Sequence, residues 1–353
     1  MELGSEYHLS LSSLCKADYD LFQYLSEFET VRFYDSGRSA IKVVSAALDR
    51  SERVLLPEFI CESVINCFDG DSIDFYHLNS DFSVDIESLK NKMTKSTRLI
   101  FLMHYFGAVQ PKNVLSEIRS LAEKNSCIVL EDTTHSIFSA KRTIGDYVVA
   151  SVRKWMPIAG GGVLYTLSDK LDLGNATYKK DCDNKRLTGM VMKDLFLHQG
   201  LECNKEYREI FKMCEESLDE RIDIFQISDF SRFIISCMDI HDIIARRQSN
   251  YRYLLERLRK IKLSPEVEFE KTECPLVLPV RIKNRDAVRH LLMEHKVYCA
   301  VHWPFDGLMQ EDRNFAKKNA EELISLPIDQ RYSEKDMDYL ADVLAECRGE
   351  IIC

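Results

Sequence analysis

Short apolar runs alternate with amphipathic stretches along the first half of the chain. The apolar runs, each typical of a β-strand, are Arg53–Leu56, Ser72–Tyr76, Leu99–Met103, Cys127–Leu130 and Val163–Leu167. The amphipathic stretches, each typical of a helix, are Arg38–Leu48, Ile60–Phe68, Ile86–Met93 and Val114–Asn125. Strands that are apolar along most of their length are usually buried on both faces of a parallel sheet. The alternation therefore predicts an α/β fold with a mostly parallel central sheet.

The pattern changes in the second half of the chain. From about Lys170 to Asp229 it is polar and helical, and regularly spaced apolar residues then predict one long helix from Asp229 to about Ile261. Beyond this helix we expect strands at Pro275–Ile282 and Val297–Val301 and helices at Asp286–His295 and Glu334–Cys347. The sequence thus predicts a large α/β domain of residues 1–245 and a small C-terminal α+β domain of residues 246–353.

Composition narrows the class of protein. Of the 353 residues, 45% are hydrophobic, which is enough for a packed core. Acidic residues outnumber basic ones by 57 to 47, so the chain has no electrostatic footprint for nucleic acid. We find no signal peptide and no apolar run as long as a membrane span, and we expect a cytoplasmic protein that makes no membrane contact. The 12 cysteines include no C-x-x-C pair, so we expect reduced thiols and no metal site.

Ser36–Ala40 (SGRSA) is a turn of small residues directly before a helical stretch. A helix N-terminus presents backbone N–H groups and the positive end of the helix dipole, and both suit a phosphate group. The alternative interpretation is an ordinary helix N-cap, for which serine is a preferred residue.

Asp132, within Leu130–His135 (LEDTTH), places a carboxylate at the end of a buried strand. In α/β proteins, ligands bind at the carboxyl ends of parallel strands. The alternative interpretation is that Asp132 caps the helix that follows.

Lys154 stands between the apolar stretch Tyr147–Ala150 and the glycine triplet Gly160–Gly162. Glycines permit backbone or a cofactor to approach closely, whereas an isolated lysine is more often exposed to solvent. Phe106–Gly107, which follows His104 and Tyr105 at a strand end, is more simply explained by packing.

Together, these segments contain what pyridoxal 5'-phosphate (PLP) requires. A lysine amine must form a Schiff base with the cofactor, and an aspartate must keep the pyridine nitrogen protonated so that the ring accepts electrons. A helix N-terminus with a hydroxyl group must hold the phosphate. Lys154, Asp132 and the turn at Ser36–Ala40 satisfy these requirements in residue type.

From about Phe33 to Glu346 the chain resembles the DegT/DnrJ/StrS family of PLP-dependent sugar aminotransferases. The matching segments include Ser36–Ala40, Leu56–Phe59 (LPEF), His104–Gly107 (HYFG), Leu130–His135, Ser151–Lys154 (SVRK), Gly160–Gly162, Arg246–Tyr251, His302–Pro304 (HWP) and Ala320–Ile328. The resemblance implies the aspartate-aminotransferase fold (PLP fold type I) and a homodimer whose active sites lie at the subunit interface.

The resemblance also assigns roles to individual residues. Lys154 is implied as the Schiff-base lysine and Asp132 as the partner of the pyridine nitrogen, while His135 falls beside the 3'-oxygen of the cofactor. The implied phosphate ligands are Ser39, the backbone N–H groups of Gly37 and Arg38, and Ser151, which precedes the lysine by three residues instead of the common five. Phe59 and Cys61 are joint candidates for stacking on the pyridine ring.

The resemblance implies amino transfer from glutamate to a nucleotide-linked ketosugar by a ping-pong mechanism. One departure concerns the G-Y-N-x-R stretch with which relatives reach the cofactor phosphate of the neighbouring subunit; Phe225–Arg232 replaces it here, with Ser228 or Arg232 as substitutes. Arg153, Arg232 and Arg247 are candidate ligands of a diphosphate, although each is more simply explained as an arginine on the surface or in a helix.

The alternative functions are a PLP-dependent dehydratase or other lyase, a non-catalytic PLP-binding regulatory protein and, more remotely, a histidine–cysteine metal protein. Family dehydratases carry histidine in place of the lysine, so Lys154 argues against the lyase.

Overall fold

A computed structural model describes residues 2–139, 143–166, 170–174, 184–304 and 313–347. Its helices are α1 (Leu21–Tyr24), α2 (Gly37–Ser45), α3 (Glu62–Ile65), α4 (Ile86–Lys92), α5 (Lys112–Lys124), α6 (Asn184–Gln199), α7 (Asn204–Glu220), α8 (Asp229–Ser236), α9 (Ile240–Lys260), α10 (Arg285–Glu294), α11 (Asn314–Glu322) and α12 (Glu334–Glu346). Its strands are β1 (Thr30–Tyr34), β2 (Arg53–Pro57), β3 (Ile73–Tyr76), β4 (Thr97–Met103), β5 (Ile128–Asp132), β6 (Tyr147–Ser151), β7 (Gly162–Thr166), β8 (Leu278–Arg281) and β9 (Leu323–Leu326).

The chain divides into two compact units, each assembled from separate segments. The first unit comprises Met1–Ser5, Arg50–Gly145 and Asp242–Cys353, and the second comprises Glu6–Asp49 and Asp146–His241. These units describe where the residues pack; the division into domains of residues 1–245 and 246–353 stays a prediction.

The first unit contains the parallel strands that the sequence predicts. They pair in the order β5-β4-β2-β3, and every one of these pairs is parallel. Nearly all of their residues are buried, as the continuous apolar runs required. Met103 is in register with Asp132, so β4 and β5 end together and the residues that follow them emerge at one edge of the sheet.

A second core in the first unit surrounds the antiparallel pair β8–β9. Leucines of α9 and α12, among them Leu254, Leu258 and Leu340, pack there against Val280 and Ile324. These elements carry the helix–strand alternation that the sequence predicts for the C-terminal part of the chain.

The second unit contains an antiparallel sheet in the order β1-β7-β6. Gly162 on the central strand is in register with Tyr34 on one side and with Ser151 on the other. Strand β1 was not predicted, because most of its residues are only half-buried and leave no continuous apolar run. Helix α2 packs against β6 and β7, which brings its first turn to the end of this sheet.

Two predicted elements differ from the structure. The single helix expected from Asp229 to Ile261 is wrong, because α8 ends at Ser236 and α9 begins at Ile240. Asp239 sits in this break, and its side chain accepts hydrogen bonds from the backbone N–H groups of Tyr19 and His241. The bond from His241 N–H caps the start of α9, and the bond from Tyr19 N–H ties the break to a distant part of the chain.

The strand expected at Val297–Val301 forms only isolated bridges, from Val297 to Leu3 and from Ala300 to Ser325. Helices α6 and α7 confirm the polar helices that the sequence predicts between about Lys170 and Asp229, where that stretch is described. Across the described ranges, the helices include none that is both long and apolar enough to cross a bilayer.

Candidate active site

The turn before α2 is built as a helix N-terminus of the kind that the sequence predicted. Ser36 is the N-cap, and its Oγ accepts a hydrogen bond of 3.1 Å from the backbone N–H of Ser39. Gly37 and Arg38 occupy the first turn, where helix geometry offers their N–H groups no partner inside the helix. The guanidinium of Arg38 pairs with Asp219 at 2.6 Å, so this residue can serve a ligand through its backbone.

Asp35 fixes the position of this turn through both its backbone and its side chain. Its N–H donates to Phe225 O and its carbonyl accepts from Gly161 N–H. Its buried carboxylate accepts from Arg221 at 2.5 Å. The turn is therefore anchored from two directions before α2 begins.

The glycine triplet Gly160–Gly162 permits the turn to lie directly on β7. A Cβ at Gly162 would lie 2.0 Å from Ser36 O, and one at Gly160 would lie 2.7 Å from Asp35 O. Both distances are far below van der Waals contact, so no side chain fits at either position. The close approach that the sequence attributed to these glycines is an approach of backbone to backbone within the protein.

Ser151 and Lys154 follow at the end of β6. A Cβ at Gly37 would lie 3.0 Å from Ser151 Cβ, so the first turn of α2 rests on Ser151. The chain then forms a 3-10 turn, Val152–Lys154, which is tied to Gly161 O through Val152 N–H. Lys154 is half-buried, whereas Trp155 and Met156 after it are fully buried and anchor the turn.

An ion-pair chain that sequence reasoning missed lies next to Lys154. Arg153 binds Glu215 with both terminal nitrogens, and Arg186 binds the same carboxylate at 2.5 Å. Arg186 also donates to Glu6 at 2.9 Å. Burial alone would raise the pKa of Glu215, but the positive charges of Arg153 and Arg186 outweigh it and lower the pKa to about 2.

Asp132 and Glu131 end β5 with two buried carboxylates that have different partners. Glu131 accepts from His104 Nε2 at 2.8 Å and from the backbone N–H groups of Ile144 and Gly145, both at 2.7 Å. Asp132 accepts from Thr134 N–H at 2.8 Å through Oδ1. Residues 133–139 contain turns and no helix, so the interpretation of Asp132 as the cap of a following helix is wrong, and its bond to Thr134 N–H stabilises a turn.

His135 is buried within a group of aromatic side chains. Its ring stacks on Trp303 with centroids 5.5 Å apart and planes 20° apart, and His302 lies 5.1 Å away. The backbone N–H of Phe106 donates to Nδ1 at 3.3 Å. A nitrogen that accepts a hydrogen bond carries no proton, so a neutral His135 would bear its proton on Nε2. His302 and Trp303 belong to a segment that matched the family, yet sequence reasoning gave them no place in the site.

The two candidates for ring stacking differ in their surroundings. Phe59 is buried, lies 5.1 Å from Trp303 between ring centroids, and accepts from the Tyr105 hydroxyl through its carbonyl oxygen at 2.6 Å. Cys61 is half-buried at the N-cap of α3, with its Sγ 3.1 Å from Ser63 Oγ. Phe59 therefore belongs to the aromatic group around His135, and Cys61 lies at the start of a short helix.

Phe106–Gly107 has a backbone function that supports the packing interpretation. Both residues have positive φ, and a Cβ at Gly107 would lie 2.6 Å from Cys274 O. Leu276 N–H donates to Phe106 O at 2.7 Å. Glycine is needed here because the chain turns in the left-handed region against another backbone.

The structure shows protein partners for each arginine considered as a diphosphate ligand. Arg153 pairs with Glu215, and the Arg232 guanidinium lies over Phe22 and Phe33. Arg247 is buried rather than exposed, and it donates to Gln330 Oε1 and Leu276 O. Ser228 caps α8 by accepting from Ser231 N–H.

The predicted residues fall into two groups. Gly37, Arg38, Ser39, Ser151 and Lys154 lie in the second unit, and Phe59, Cys61, Asp132 and His135 lie in the first. Within the second unit, the structure brings the turn at Gly37 onto Ser151. The individual roles of all nine residues stay predictions.

A sequence model of the DegT/DnrJ/EryC1/StrS aminotransferase family matches residues 73–179, which include Asp132, His135, Ser151 and Lys154. Over these residues the chain is similar to this family. It is 22% identical over 280 residues to the dTDP-3-amino-3,6-dideoxy-alpha-D-galactopyranose transaminase of Aneurinibacillus thermoaerophilus, covering 74% of this chain and 69% of that enzyme.

Solved structures of aminotransferases share the fold of this chain. The aminotransferase TlmJ from Streptoalloteichus hindustanus matches with a TM-score of 0.70 at 14% identity, covering 100% of both chains. NtdA from Bacillus subtilis with bound cofactor PMP matches with a TM-score of 0.65 at 16% identity, covering 93% of this chain and 75% of NtdA. These matches confirm the expected fold, PLP fold type I with a mostly parallel central sheet.

We predict that Gly162→Ala destabilises the protein, because its Cβ would lie 2.0 Å from the backbone oxygen of Ser36. Overpacking of this kind typically costs about 1–3 kcal/mol, and a clash with backbone is relieved less easily than one with a side chain. The control is Gly70→Ala, since nothing lies within 4 Å of a Cβ there. Thermal unfolding followed by circular dichroism should show a lower midpoint for Gly162→Ala only. Equal midpoints for the two variants would contradict the close approach.

Proposed function

We propose that this chain is a PLP-dependent aminotransferase that moves an amino group from glutamate to a nucleotide-linked ketosugar. The observation that carries the proposal is the cradle in the second unit, where the first turn of α2 rests on Ser151 and Lys154 follows from the same strand. A phosphate held at this turn would leave the rest of the cofactor near a half-buried amine.

The residues present fit PLP. The first turn of α2 offers the N–H groups of Gly37 and Arg38, the Ser39 hydroxyl and the positive helix end to a phosphate, and Ser151 lies against it. The absence of a side chain at Gly37 permits this contact, since a Cβ there would lie only 3.0 Å from Ser151 Cβ. When bound, the cofactor supplies an electron sink for the carbon that carries the amino group.

The chain's own residues would bind the cofactor and move protons. Asp132 would hold the pyridine nitrogen in its protonated form, because a buried carboxylate stabilises a neighbouring positive charge. His135 would donate from Nε2 to the 3'-oxygen, since its Nδ1 accepts from Phe106 N–H. The Nζ of Lys154, once free of the cofactor, would move a proton from the donor carbon to the cofactor carbon in the first half-reaction and from the cofactor carbon to the acceptor carbon in the second.

The acceptor is proposed on the similarity to a transaminase whose product is a dTDP-linked amino sugar. A dTDP-linked 3-keto sugar is therefore the first acceptor to test. The residues that replace the G-Y-N-x-R stretch have partners in their own subunit, since Ser228 caps α8 and Arg232 lies over Phe22 and Phe33. This observation favours, as a second candidate, a PLP-binding protein that performs no amino transfer to sugars.

Lys154→Ala should abolish covalent capture of the cofactor. Borohydride reduction of the purified protein should fix PLP to the peptide that contains Lys154, because reduction makes the lysine–cofactor bond permanent. The control Lys124→Ala removes an exposed lysine at the end of α5 and should leave the labelled peptide unchanged. Mass spectrometry of the digest identifies the peptide, and an adduct on another lysine would contradict the assignment.

Asp132→Asn should retain cofactor but slow its conversion by glutamate by roughly 100-fold or more, since a neutral amide cannot stabilise the pyridinium charge. Asp18→Asn, a change at an exposed aspartate, should react like the wild type. Stopped-flow absorbance after mixing with glutamate measures the rate. A near-normal rate in Asp132→Asn would mean that another residue protonates the ring.

Two additions in sequence test the amino transfer itself. L-glutamate should convert bound PLP to pyridoxamine phosphate, and a dTDP-linked 3-keto sugar should restore the original spectrum. Restoration only by free keto acids would leave a transaminase and remove the sugar acceptor. No response to any amino donor would favour the regulatory protein or the lyase.

The family resemblance also leads us to propose a homodimer. Static light scattering of the purified protein should give twice the mass of the chain at micromolar concentration. A monomer with full activity would contradict an active site shared between subunits.

A further inference from the structure

Three potential metal ligands, none of them a candidate active-site residue, converge on α6. Asp194 and His198 lie one helical turn apart on this helix, with His198 Nδ1 3.0 Å from Asp194 Oδ1. His8 approaches from the N-terminal segment (residues 6–9), with its Nε2 3.9 Å from the same oxygen. One ligand atom from each residue lies within 4.8 Å of the other two.

Hydrogen bonds and an ion pair hold the N-terminal segment along α6, and they determine the position of His8. Leu9 N–H donates to Met190 O at 3.1 Å, and the Nζ of the buried Lys193 donates to Glu6 O. Arg186 pairs with Glu6 at 2.9 Å. Contacts on both sides of His8 therefore hold its backbone beside Asp194.

The geometry is close to that of an open metal site. Zinc–nitrogen and zinc–oxygen bonds of about 2.0–2.1 Å at tetrahedral angles separate two ligand atoms by about 3.3 Å. The ligand atoms here are between 3.0 Å and at most 4.8 Å apart. Each separation would therefore have to change by no more than about 1.5 Å for the three atoms to bind one zinc ion. The imidazoles of His8 and His198 are partly exposed, whereas the Asp194 carboxylate is nearly buried.

We propose that His8, Asp194 and His198 bind a divalent first-row transition metal, which cross-links the N-terminal segment to α6. Two imidazole nitrogens and one carboxylate oxygen are a ligand set that zinc accepts, with a further position left for water. Imidazole ligands favour zinc, copper, nickel and cobalt over magnesium and calcium, which prefer oxygen.

A second helical pair provides a matched control. His290 and Glu294 on α10 have the same spacing, and their ligand atoms are 3.4 Å apart. Within the described part of the chain, they do not join a third ligand, since His8, Asp194 and His198 are the single such group there. His290→Ala therefore tests whether an exposed helical histidine–carboxylate pair is enough to bind metal.

The experiment is calorimetric titration of zinc chloride into untagged, EDTA-dialysed protein at about pH 7.5, where histidine is neutral. The wild type should bind zinc. His8→Ala, Asp194→Asn and His198→Ala should each lower the affinity for zinc by more than the roughly 10-fold that loss of an outer-shell partner costs. His290→Ala should bind like the wild type. Because the 12 cysteines can also bind zinc, the site is defined by the difference between the wild type and these variants.

Hydrogen exchange provides a second readout that does not depend on activity or on PLP. Zinc should slow amide exchange in residues 6–9 of the wild type but not of His8→Ala, because the metal would stabilise the folded position of this segment. Thermal unfolding in EDTA confirms that each variant is folded. Equal zinc binding by the wild type and all three ligand variants would overturn the proposal. Binding that is lost in His198→Ala but kept in His8→Ala would also overturn it, since the metal would then not reach the N-terminal segment.

Discussion

The contact between two stretches of backbone, Asp35–Ser36 and Gly160–Gly162, is the constraint on which the candidate phosphate cradle depends. The carbonyl oxygen of Ser36 occupies the space where Gly162 would carry a side chain, and Gly161 N–H binds Asp35 O. The strand register fixes the partners of this contact, because Gly162 pairs with Tyr34 on one side and with Ser151 on the other. The turn that follows β1 therefore lies against Ser151 at the end of β6, three residues before Lys154. The glycine triplet is explained by this packing without any bound ligand, and its effect is to position groups that could hold one.

Glu131 and Asp132, the last two residues of β5, are neighbouring carboxylates with different surroundings. Successive side chains of a strand point to opposite faces, so Glu131 and Asp132 meet different surroundings. Glu131 receives hydrogen bonds from His104 and from two backbone N–H groups, which closes the loop before β6. Three donors stabilise the charged form of a buried carboxylate. Asp132 accepts a hydrogen bond from Thr134 N–H through Oδ1. The family resemblance assigns Asp132, and not Glu131, to the cofactor.

Much of the fold could be predicted from the sequence because buried parallel strands leave a continuous apolar signal. Strands β2 to β5 were predicted within a few residues, and the motifs marked the strand ends where the candidate residues lie. The errors fall where distant contacts decide local structure. Asp239 breaks the predicted helix by binding Tyr19 from far along the chain, and β1 exists through its pairing with β7. His302 and Trp303 reach His135 through tertiary packing, which no local pattern records.

The N-terminal segment illustrates the same point in the unit that carries Lys154. Its residues show no strong helical or strand pattern, yet Glu6 is bound by Arg186 and by Lys193. Arg186 shares Glu215 with Arg153, so an unbroken series of ion pairs runs from residue 6 to the neighbour of Lys154. Glu215 stays ionised to about pH 2 because two guanidinium groups hold its pKa far below the usual value, which keeps this series charged throughout the physiological range. These ion pairs therefore connect the N-terminal segment to Arg153, the residue next to Lys154.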